Sequence, residues 1–252
     1  MDTPELHGRV ALVTGAAGGM GRAIATALAA AGATVALNDR TGESLAGVEA
    51  EFRDRGQPAF AVAADVTSAD QVRAMTDRVA EQAGSLDIVV NNAGVLYPTR
   101  FLDIAEHEWD LVMNVSVKGT FLCSQAAVPH MQRHGWGRIV NLSSTAGKNI
   151  STVGGAHYTT AKAGILGLTR HLAKEVAADG ITVNAVCPGL IDTEMVHKTI
   201  TPDAVAAYAR SFPIPRLGRP GEVADLVAFL ASDRAGYITG ASVDINGGDL
   251  MI

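Results

Sequence analysis

The chain has 252 residues, 48% of them hydrophobic and 18% charged, a balance that excludes disorder and allows a sizeable buried core. Its formal net charge of −6 offers no electrostatic attraction to nucleic acid or an anionic membrane, so a small or locally recognised ligand is expected. The two cysteines, Cys123 and Cys187, form no C-x-x-C pair, which argues against a disulfide framework or a zinc knuckle and suits a reducing cytoplasm.

The opening MDTPELHGRV has no basic segment followed by an apolar run, so no signal peptide is expected. Strands and helices then alternate in the pattern strand 10–14 (VALVT), helix 19–31, strand 33–38 (ATVALN), helix 42–55, strand 59–64 (AFAVAA) and helix 68–84. They continue as strand 86–90 (LDIVV), helix 106–134, strand 138–142 (RIVNL), helix 156–179, strand 181–186 (ITVNAV), helix 221–232 and strand 242–245 (SVDI). Continuously apolar strands separated by helices predict a parallel sheet covered on both faces. The expected fold is α/β, a single-domain, Rossmann-type doubly wound sheet of about seven strands. The longest apolar run, 23–37, is interrupted by Thr26, Gly32 and Thr34 and predicts no membrane span. From Pro188 to Pro220 the regularity breaks, with Pro202, Pro213, Pro215 and Gly218 inside the segment. A long irregular stretch in a compact domain is read as a substrate lid, at about 190–215.

The first strand runs into TGAAGGMG, residues 14–21. Glycines at 15, 18, 19 and 21, with Met20 between them, would allow a tight turn whose backbone N–H groups meet a pyrophosphate at the helix N-terminus. The position between first strand and first helix is the context a dinucleotide site requires. Asp39, at the end of the second strand, is placed to accept from the adenosine ribose hydroxyls and to repel a 2′-phosphate. No Arg or Lys lies at 16–20, so NAD is expected over NADP, with Arg40 the one residue that would favour the phosphate.

In AHYTTAKAG, residues 156–164, Tyr158 and Lys162 stand one helical turn apart on one face. An ammonium about 5 Å from a phenol, at an effective dielectric of about 20, favours phenolate by roughly 3 kcal/mol, or about two pKa units. Asn114 falls inside a predicted helix, where a short amide competes with the backbone.

Taken together, TGAAGGMG (14–21), DV (65–66), NNAG (91–94), MNVSVKGTF (113–121), NLSS (141–144), YTTAK (158–162) and PGLIDT (188–193) resemble, in order, the motifs of the short-chain dehydrogenase/reductase family. The resemblance spans nearly the whole chain, including YITGASVDINGG at 237–248. It implies an oxidoreductase that transfers a hydride between NAD and a small secondary alcohol or ketone. By that resemblance Tyr158 is the acid/base, Lys162 also bonds the nicotinamide ribose, and Ser144 rather than Ser143 bonds the substrate oxygen. Asn114 holds a water that relays protons from the lysine. Asp65 and Val66 resemble adenine contacts, Asn92, Ala93 and Gly94 the wall beside the adenosine, and Pro188, Gly189, Ile191 and Thr193 the segment orienting the carboxamide.

Other constellations carry less. His107-Glu108 lacks a second histidine, since Leu111 stands there. His130 and His134 have metal spacing without a third ligand and read as an exposed helix end. Ser144 has no G-x-S-x-G elbow, which argues against a hydrolase. His157 either lines the pocket or faces solvent.

Leu96, Tyr97, the loop 148–155 with Ile150 and Val153, and Met195, Val196, Tyr208 and Phe212 would wall an apolar pocket. His197, Lys198 and Arg210 are candidate partners for a carboxylate or phosphate. Among the family, 3-oxoacyl-(acyl-carrier-protein) reductases using NADPH are the alternative reading. Arginines near their entrance meet the carrier protein. Gly135 and Asp179 stand at the matching positions here, and Arg133 or Arg138 would have to substitute. A non-catalytic NAD-binding regulator is the remote alternative. The resemblance also implies a homotetramer, with a dimer second, paired through the helices 106–134 and 156–179.

Overall fold

A computed structural model describes residues 5–252. Seven parallel strands form one sheet: β1 (Val10–Thr14), β2 (Thr34–Asp39), β3 (Ala59–Ala63), β4 (Ile88–Asn91), β5 (Gly137–Leu142), β6 (Ile181–Pro188) and β7 (Ser242–Ile245). Their spatial order is β3-β2-β1-β4-β5-β6-β7. The chain moves outward from β1 to β3, then returns to lay β4 on the other side of β1. Connections diverge there, and the carboxyl ends of β1 and β4 open the crevice in which such sheets bind ligands.

Strand side chains alternate between two cores because successive residues point to opposite faces. Ala11 and Val13 of β1 enter one core with α1 (Gly19–Ala30), α2 (Gly42–Asp54) and, far along the chain, the helix Pro220–Leu230. Val10 and Leu12 enter the other, with α3 (Ala69–Ala83) and the helices that follow β4 and β5. Burial on both faces is why these strands read as continuous apolar runs.

The helix expected over 106–134 is in two parts. α4 (Glu106–Met113) passes through a π turn, Asn114–Lys118, into α5 (Gly119–Gln132). The Gly119 N–H bonds to Asn114 O, five residues back, so one extra residue is accommodated without breaking the rod. A side chain at Gly119 would start 2.9 Å from Val66 Cγ2, which fixes how closely this helix approaches the loop after β3. By length and composition the stretch Glu106–Gln132 is apolar enough to cross a membrane. Val112, Ser116, Leu122, Cys123, Ala127 and Met131 are nevertheless buried in the protein's own interior. His130, expected at an exposed helix end, is also buried, with Nε2 3.0 Å from Asp77 Oδ1.

After β5 the chain forms α6 (Ala156–Val176), which ends in a short 3₁₀ turn at Ala177–Asp179. The stretch expected to be irregular carries two helices, α7 (Glu194–Thr199) and α8 (Pro202–Ser211), before α9 (Pro220–Leu230). Thr201 caps α8 by accepting from Ala204 N at 3.3 Å, and Pro202 fills the first turn, where its missing N–H costs nothing. The segment is tied down by a parallel bridge between Ile191 and Gly218 and by the Tyr208 hydroxyl, which donates to Thr152 O at 3.1 Å.

Candidate active site

The glycine turn joins β1 to α1. Gly15 and Gly19 have φ of 65° and 52°, the left-handed region that favours glycine. A Cβ at Gly21 would lie 2.0 Å from Gly15 O, so the turn closes only without a side chain there. Gly18 precedes the helix in an extended conformation, no side chain caps the N-terminus, and the first turn holds no acid. The first backbone N–H groups are left for an outside acceptor at the positive end of the helix dipole. The cradle therefore fits a pyrophosphate.

Neighbouring segments converge on this turn. Thr14 Oγ1 accepts from the backbone N–H groups of Asn92 and Ala93, both at 3.0 Å, and Asn92 Nδ2 donates to Thr14 O and Gly15 O at 2.9 and 3.1 Å. Asn92 thus fastens the β4 end to the β1 end, and Gly94 follows beside it. Asp39 Oδ2 accepts from Ala17 N at 3.3 Å while Oδ1 accepts from Arg40 N at 2.7 Å. The β2 carboxylate consequently faces the glycine turn, and Arg40 is exposed. Arg22, on α1, is paired with Glu51. Across the crevice, Thr193 Cγ2 is 3.7 Å from where a side chain on Gly19 would begin. This brings PGLIDT against the turn, with Ile191 buried and Gly189 N donating to Ile245 O at 3.0 Å. Asp65 accepts from Thr67 N and Oγ1 at 2.8 and 2.7 Å, which holds its carboxyl below the usual range, and Val66 is buried under Gly119.

Ser144, Tyr158 and Lys162 meet at the carboxyl ends of β5 and β6. Ser144 Oγ accepts from Ala146 N at 3.1 Å and lies 3.4 Å from Pro188 O. Its neighbour Ser143 turns the other way and donates to Lys162 O at 2.8 Å, clamping α6 to β5. Lys162 is 5% exposed, donates to Leu142 O at 2.7 Å, and holds Nζ 5.6 Å from the centre of the Tyr158 ring.

The electrostatics depart from the expected lowering of the phenol by the lysine. Burial pushes Tyr158 up from its ordinary value, and the hydrogen bond from Ser144 is the group that opposes it. Burial also pulls Lys162 down to about 8. In both the main cause is loss of water around the charged form.

Asn114 stands at the start of the π turn. Its side chain is exposed and makes no hydrogen bond among the described residues, whereas Ser116, two residues on, is fully buried. The π turn shifts the helix register between these two positions. His157 neither lines the pocket nor faces solvent. It is fully buried, with Nε2 2.9 Å from Glu108 Oε1.

Gly154 supports the phenol from the other side, since a Cβ there would fall 2.8 Å from Tyr158 Cδ1. Val196 and Phe212 are buried, while Met195 and Ile150 are exposed. His197 pairs with Asp192 at 2.6 Å and Lys198 with Glu194 at 2.6 Å, so both are engaged within their own segment, and Arg210 is exposed. Lys148 is drawn to β7, donating to Ser242 O and Asp244 Oδ2, both at 2.8 Å. Arg138 is buried against Asp233 and Trp136 and is withdrawn from any docking surface, leaving Arg133 exposed.

Comparisons agree with this geometry. A family model described as Enoyl-(Acyl carrier protein) reductase matches residues 15–249. The 3-oxoacyl-(acyl-carrier-protein) reductase of Staphylococcus aureus is 43% identical over 242 residues, covering 96% of this chain and 98% of that protein. Among solved structures, a short-chain type dehydrogenase/reductase from Mycobacterium marinum superposes with a TM-score of 0.93 at 38% identity, covering 98% of this chain and 97% of that one. A 3-oxoacyl-(acyl-carrier-protein) reductase from Brucella melitensis with bound NAD gives a TM-score of 0.90 at 37% identity, covering 99% and 94%.

Proposed function

The chain belongs to the short-chain dehydrogenase/reductase family of NAD(P)-dependent oxidoreductases, and from that premise we propose that it moves a hydride between NAD and the carbon of a secondary alcohol or ketone. The observation that carries this reading is the meeting of Ser144, Tyr158 and Lys162 beside a glycine turn whose helix N-terminus lacks a cap. The bound nicotinamide supplies or receives the hydride. The turn Gly15–Gly21, with Gly18, Gly19 and Met20, would hold the pyrophosphate. Asp39 would accept from the adenosine ribose, Asp65, Val66, Asn92, Ala93 and Gly94 would line the adenosine, and Pro188, Gly189, Ile191 and Thr193 would orient the carboxamide.

Ser144 would donate to the substrate oxygen, stabilising negative charge as it develops. Tyr158, kept protonated by burial, would give its proton to that oxygen during reduction and recover it on oxidation. Lys162 would hold the nicotinamide ribose with one N–H and restore the phenol's proton. Asp39 supports NAD over NADP, because a carboxylate facing the turn repels a 2′-phosphate and the nearest α1 cation, Arg22, is already paired.

A second reading, reduction of a 3-oxoacyl thioester carried by an acidic carrier protein, is favoured by the Staphylococcus aureus relative. With Arg138 buried, that docking would rest on Arg133. Steady-state absorbance at the reduced-nicotinamide band separates these readings. The protein is supplied with acetoacetyl thioesters, simple ketones and secondary alcohols, each with NAD(H) and NADP(H). Turnover confined to thioesters with NADPH would select the second reading, and cofactor binding without turnover across the panel would point to a regulator.

Two further proposals concern context. Exposed Phe101, Leu102, Leu111 and Phe121 around α4 and α5, and Tyr237, Met251 and Ile252 near the C-terminus, support assembly as a homotetramer, testable by light scattering. Two free, buried thiols suit a reducing cytoplasm.

A further inference from the structure

Between Ser144 and Tyr158 the chain carries one Lys, Arg, Asp or Glu, and that residue is Lys148. Its ammonium reaches past β6 to the edge strand, donating to Ser242 O and Asp244 Oδ2, both at 2.8 Å. The two side chains are 13% and 25% exposed, so solvent ions screen the pair little. Lys148 is also the only group from which Asp244 accepts among the described residues, and the other carboxylate oxygen, Oδ1, is buried without a partner there. Removing one member of such a pair strands the other as an uncompensated charge. Asp244 itself is fixed by the sheet, in register with Cys187 of β6.

The other end of this tie is the turn that sets the serine. Ser144 opens a 3₁₀ turn, Thr145–Gly147, and Lys148 closes it, with Gly147 N donating to Ser144 O at 2.9 Å and Lys148 N to Thr145 O at 3.0 Å. Within the turn Ala146 N donates to Ser144 Oγ at 3.1 Å. That bond takes one lone pair, and the hydroxyl's own proton has only the long 3.4 Å contact to Pro188 O, so it is free to be donated elsewhere. Where the oxygen sits thus follows where the turn sits. A Cβ at Gly147 would begin 2.7 Å from Lys162 O, so α6 limits the turn by contact. The polar tie to the sheet is Lys148 alone, since every other hydrogen bond of residues 145–148 among the described residues stays within 144–149. Cys187 fills the space between the tie and the serine. It is fully buried, and burial pushes its thiol up from its ordinary value while the Lys148 ammonium and the Ser143 and Ser144 donors pull it back.

We propose that Lys148 and Asp244 are positioning residues for Ser144: their ion pair latches the turn 145–148 to β7 and so fixes where the serine hydroxyl meets the substrate oxygen. The inference rests on the hydride-transfer reading above, in which Ser144 donates to that oxygen. Neither latch residue touches the reacting atoms, and both act through the hydroxyl. A donor already aimed at the oxygen needs no reorganisation when negative charge develops there. The latch supplies that aim from the far edge of the sheet.

Reduction of an acetoacetyl thioester by NADH is the test. Lys148→Met should lower kcat by roughly 10- to 100-fold with the Kd for NADH within a few-fold of wild type, and Lys148→Arg, which keeps the cation, should recover most of the loss. Asp244→Asn, which keeps an accepting oxygen and removes the charge, should fall between wild type and Lys148→Met, and it replaces Lys148→Met if that variant does not fold. Two measurements separate positioning from mere stability. In Lys148→Met/Asp244→Leu no buried charge is stranded, so Tm should return toward wild type while kcat stays low; a kcat that recovers with Tm overturns the proposal. In a Ser144→Ala background, itself slower by roughly 10²-fold or more, Lys148→Met should add little further loss, because the two changes act through one hydroxyl. Equal losses in both backgrounds, or unchanged kcat in Lys148→Met, overturn it as well. If no probe is turned over even by the wild type, the parent reading fails, and crystal structures decide the latch. A displaced 145–148 turn in Lys148→Met, without the Ala146 N to Ser144 Oγ bond, is then expected, and a turn that stays in place overturns the proposal.

Discussion

The buried imidazole of His157 lies 2.9 Å from the Glu108 carboxylate and accepts, through Nδ1, the backbone N–H of Tyr158 at 2.9 Å. With Nδ1 accepting, the ring proton sits on Nε2 and points at Glu108. The pair therefore links α4 to the first turn of α6, on the residue before the phenol. Glu108→Ala would leave a buried ring N–H without an acceptor, a cost of about 1–3 kcal/mol. In a chain of this size that lowers Tm by a few degrees, roughly 2–4 °C per kcal/mol. Because the same ring holds the Tyr158 backbone, kcat should fall with it, whereas Glu108→Gln, which keeps an accepting oxygen, should retain most of both. Thermal melts and turnover of the three proteins, measured together, check the linkage.

Tyr158→Phe removes the hydroxyl proposed as the proton donor and little else. Turnover should fall by a factor of roughly 10² or more, while cofactor Kd, read by fluorescence titration, stays within a few-fold of wild type. Normal turnover in this variant would remove Tyr158 from the reaction.

Lys162 ties stability to pH. Its folded pKa of about 8 is below the ordinary 10.5, so the unfolded chain binds more protons between those values and wild-type stability rises with pH through that window. Below about pH 8 the cost of burying the charge is complete, and above 10.5 it is gone. Each pKa unit is worth 1.36 kcal/mol, so the shift amounts to about 3 kcal/mol. Lys162→Met has no such term. Denaturant titrations of both proteins should show the wild type gaining on the variant by a good part of that amount from pH 8 to 10.5. A constant difference would mean that the lysine is not desolvated.

The seven strands lie within a few residues of where the apolar runs place them, because strands buried on both faces advertise themselves. The site was legible where a motif is local: the glycine turn, Asp39 and the Tyr158–Lys162 pair each need only one segment. It was not legible where placement depends on register or distance. The run MNVSVKG has no feature that announces a π turn, so the burial of Ser116 beside an exposed Asn114 could not be read from it. His157 and Glu108 are 49 residues apart, so their contact exists only in the fold. The two lid helices were signalled in part, by Thr201-Pro202-Asp203, a cap, a first-turn proline and an N-terminal acid. The proline density around them hid that signal. The phenol's upward shift was missed because spacing along a helix reports a neighbouring charge and not the water both groups lose.

Asp39→Ala tests cofactor choice. Loss of the carboxylate proposed to bond the ribose should weaken NADH binding by roughly 10-fold or more, as charged hydrogen bonds contribute about 1.5–3 kcal/mol. NADPH, relieved of repulsion, should bind better, so the ratio of their kcat/KM values narrows. Since Asp39 also accepts from Ala17 N, Asp39→Asn is the control for turn geometry: it keeps an accepting oxygen and removes the charge. An unchanged cofactor ratio in both variants would remove Asp39 from the discrimination.

Gly154→Ala probes how tightly the phenol is held. The new methyl would begin 2.8–3.0 Å from Tyr158 Cδ1, Cγ and Cβ, inside ordinary carbon contact, so either the loop 148–155 or the ring must move. Ser151 Oγ accepts from Gly154 N at 2.6 Å and Tyr208 ties the same loop to α8, which makes the ring the freer partner. A displacement of the order of 1 Å at a reacting group costs about 10²-fold in rate. Turnover should therefore drop steeply while NADH affinity, proposed to be set across the crevice by the glycine turn and Asp39, is preserved. Wild-type kcat in Gly154→Ala would mean that the loop yields and that the phenol is positioned from α6 alone.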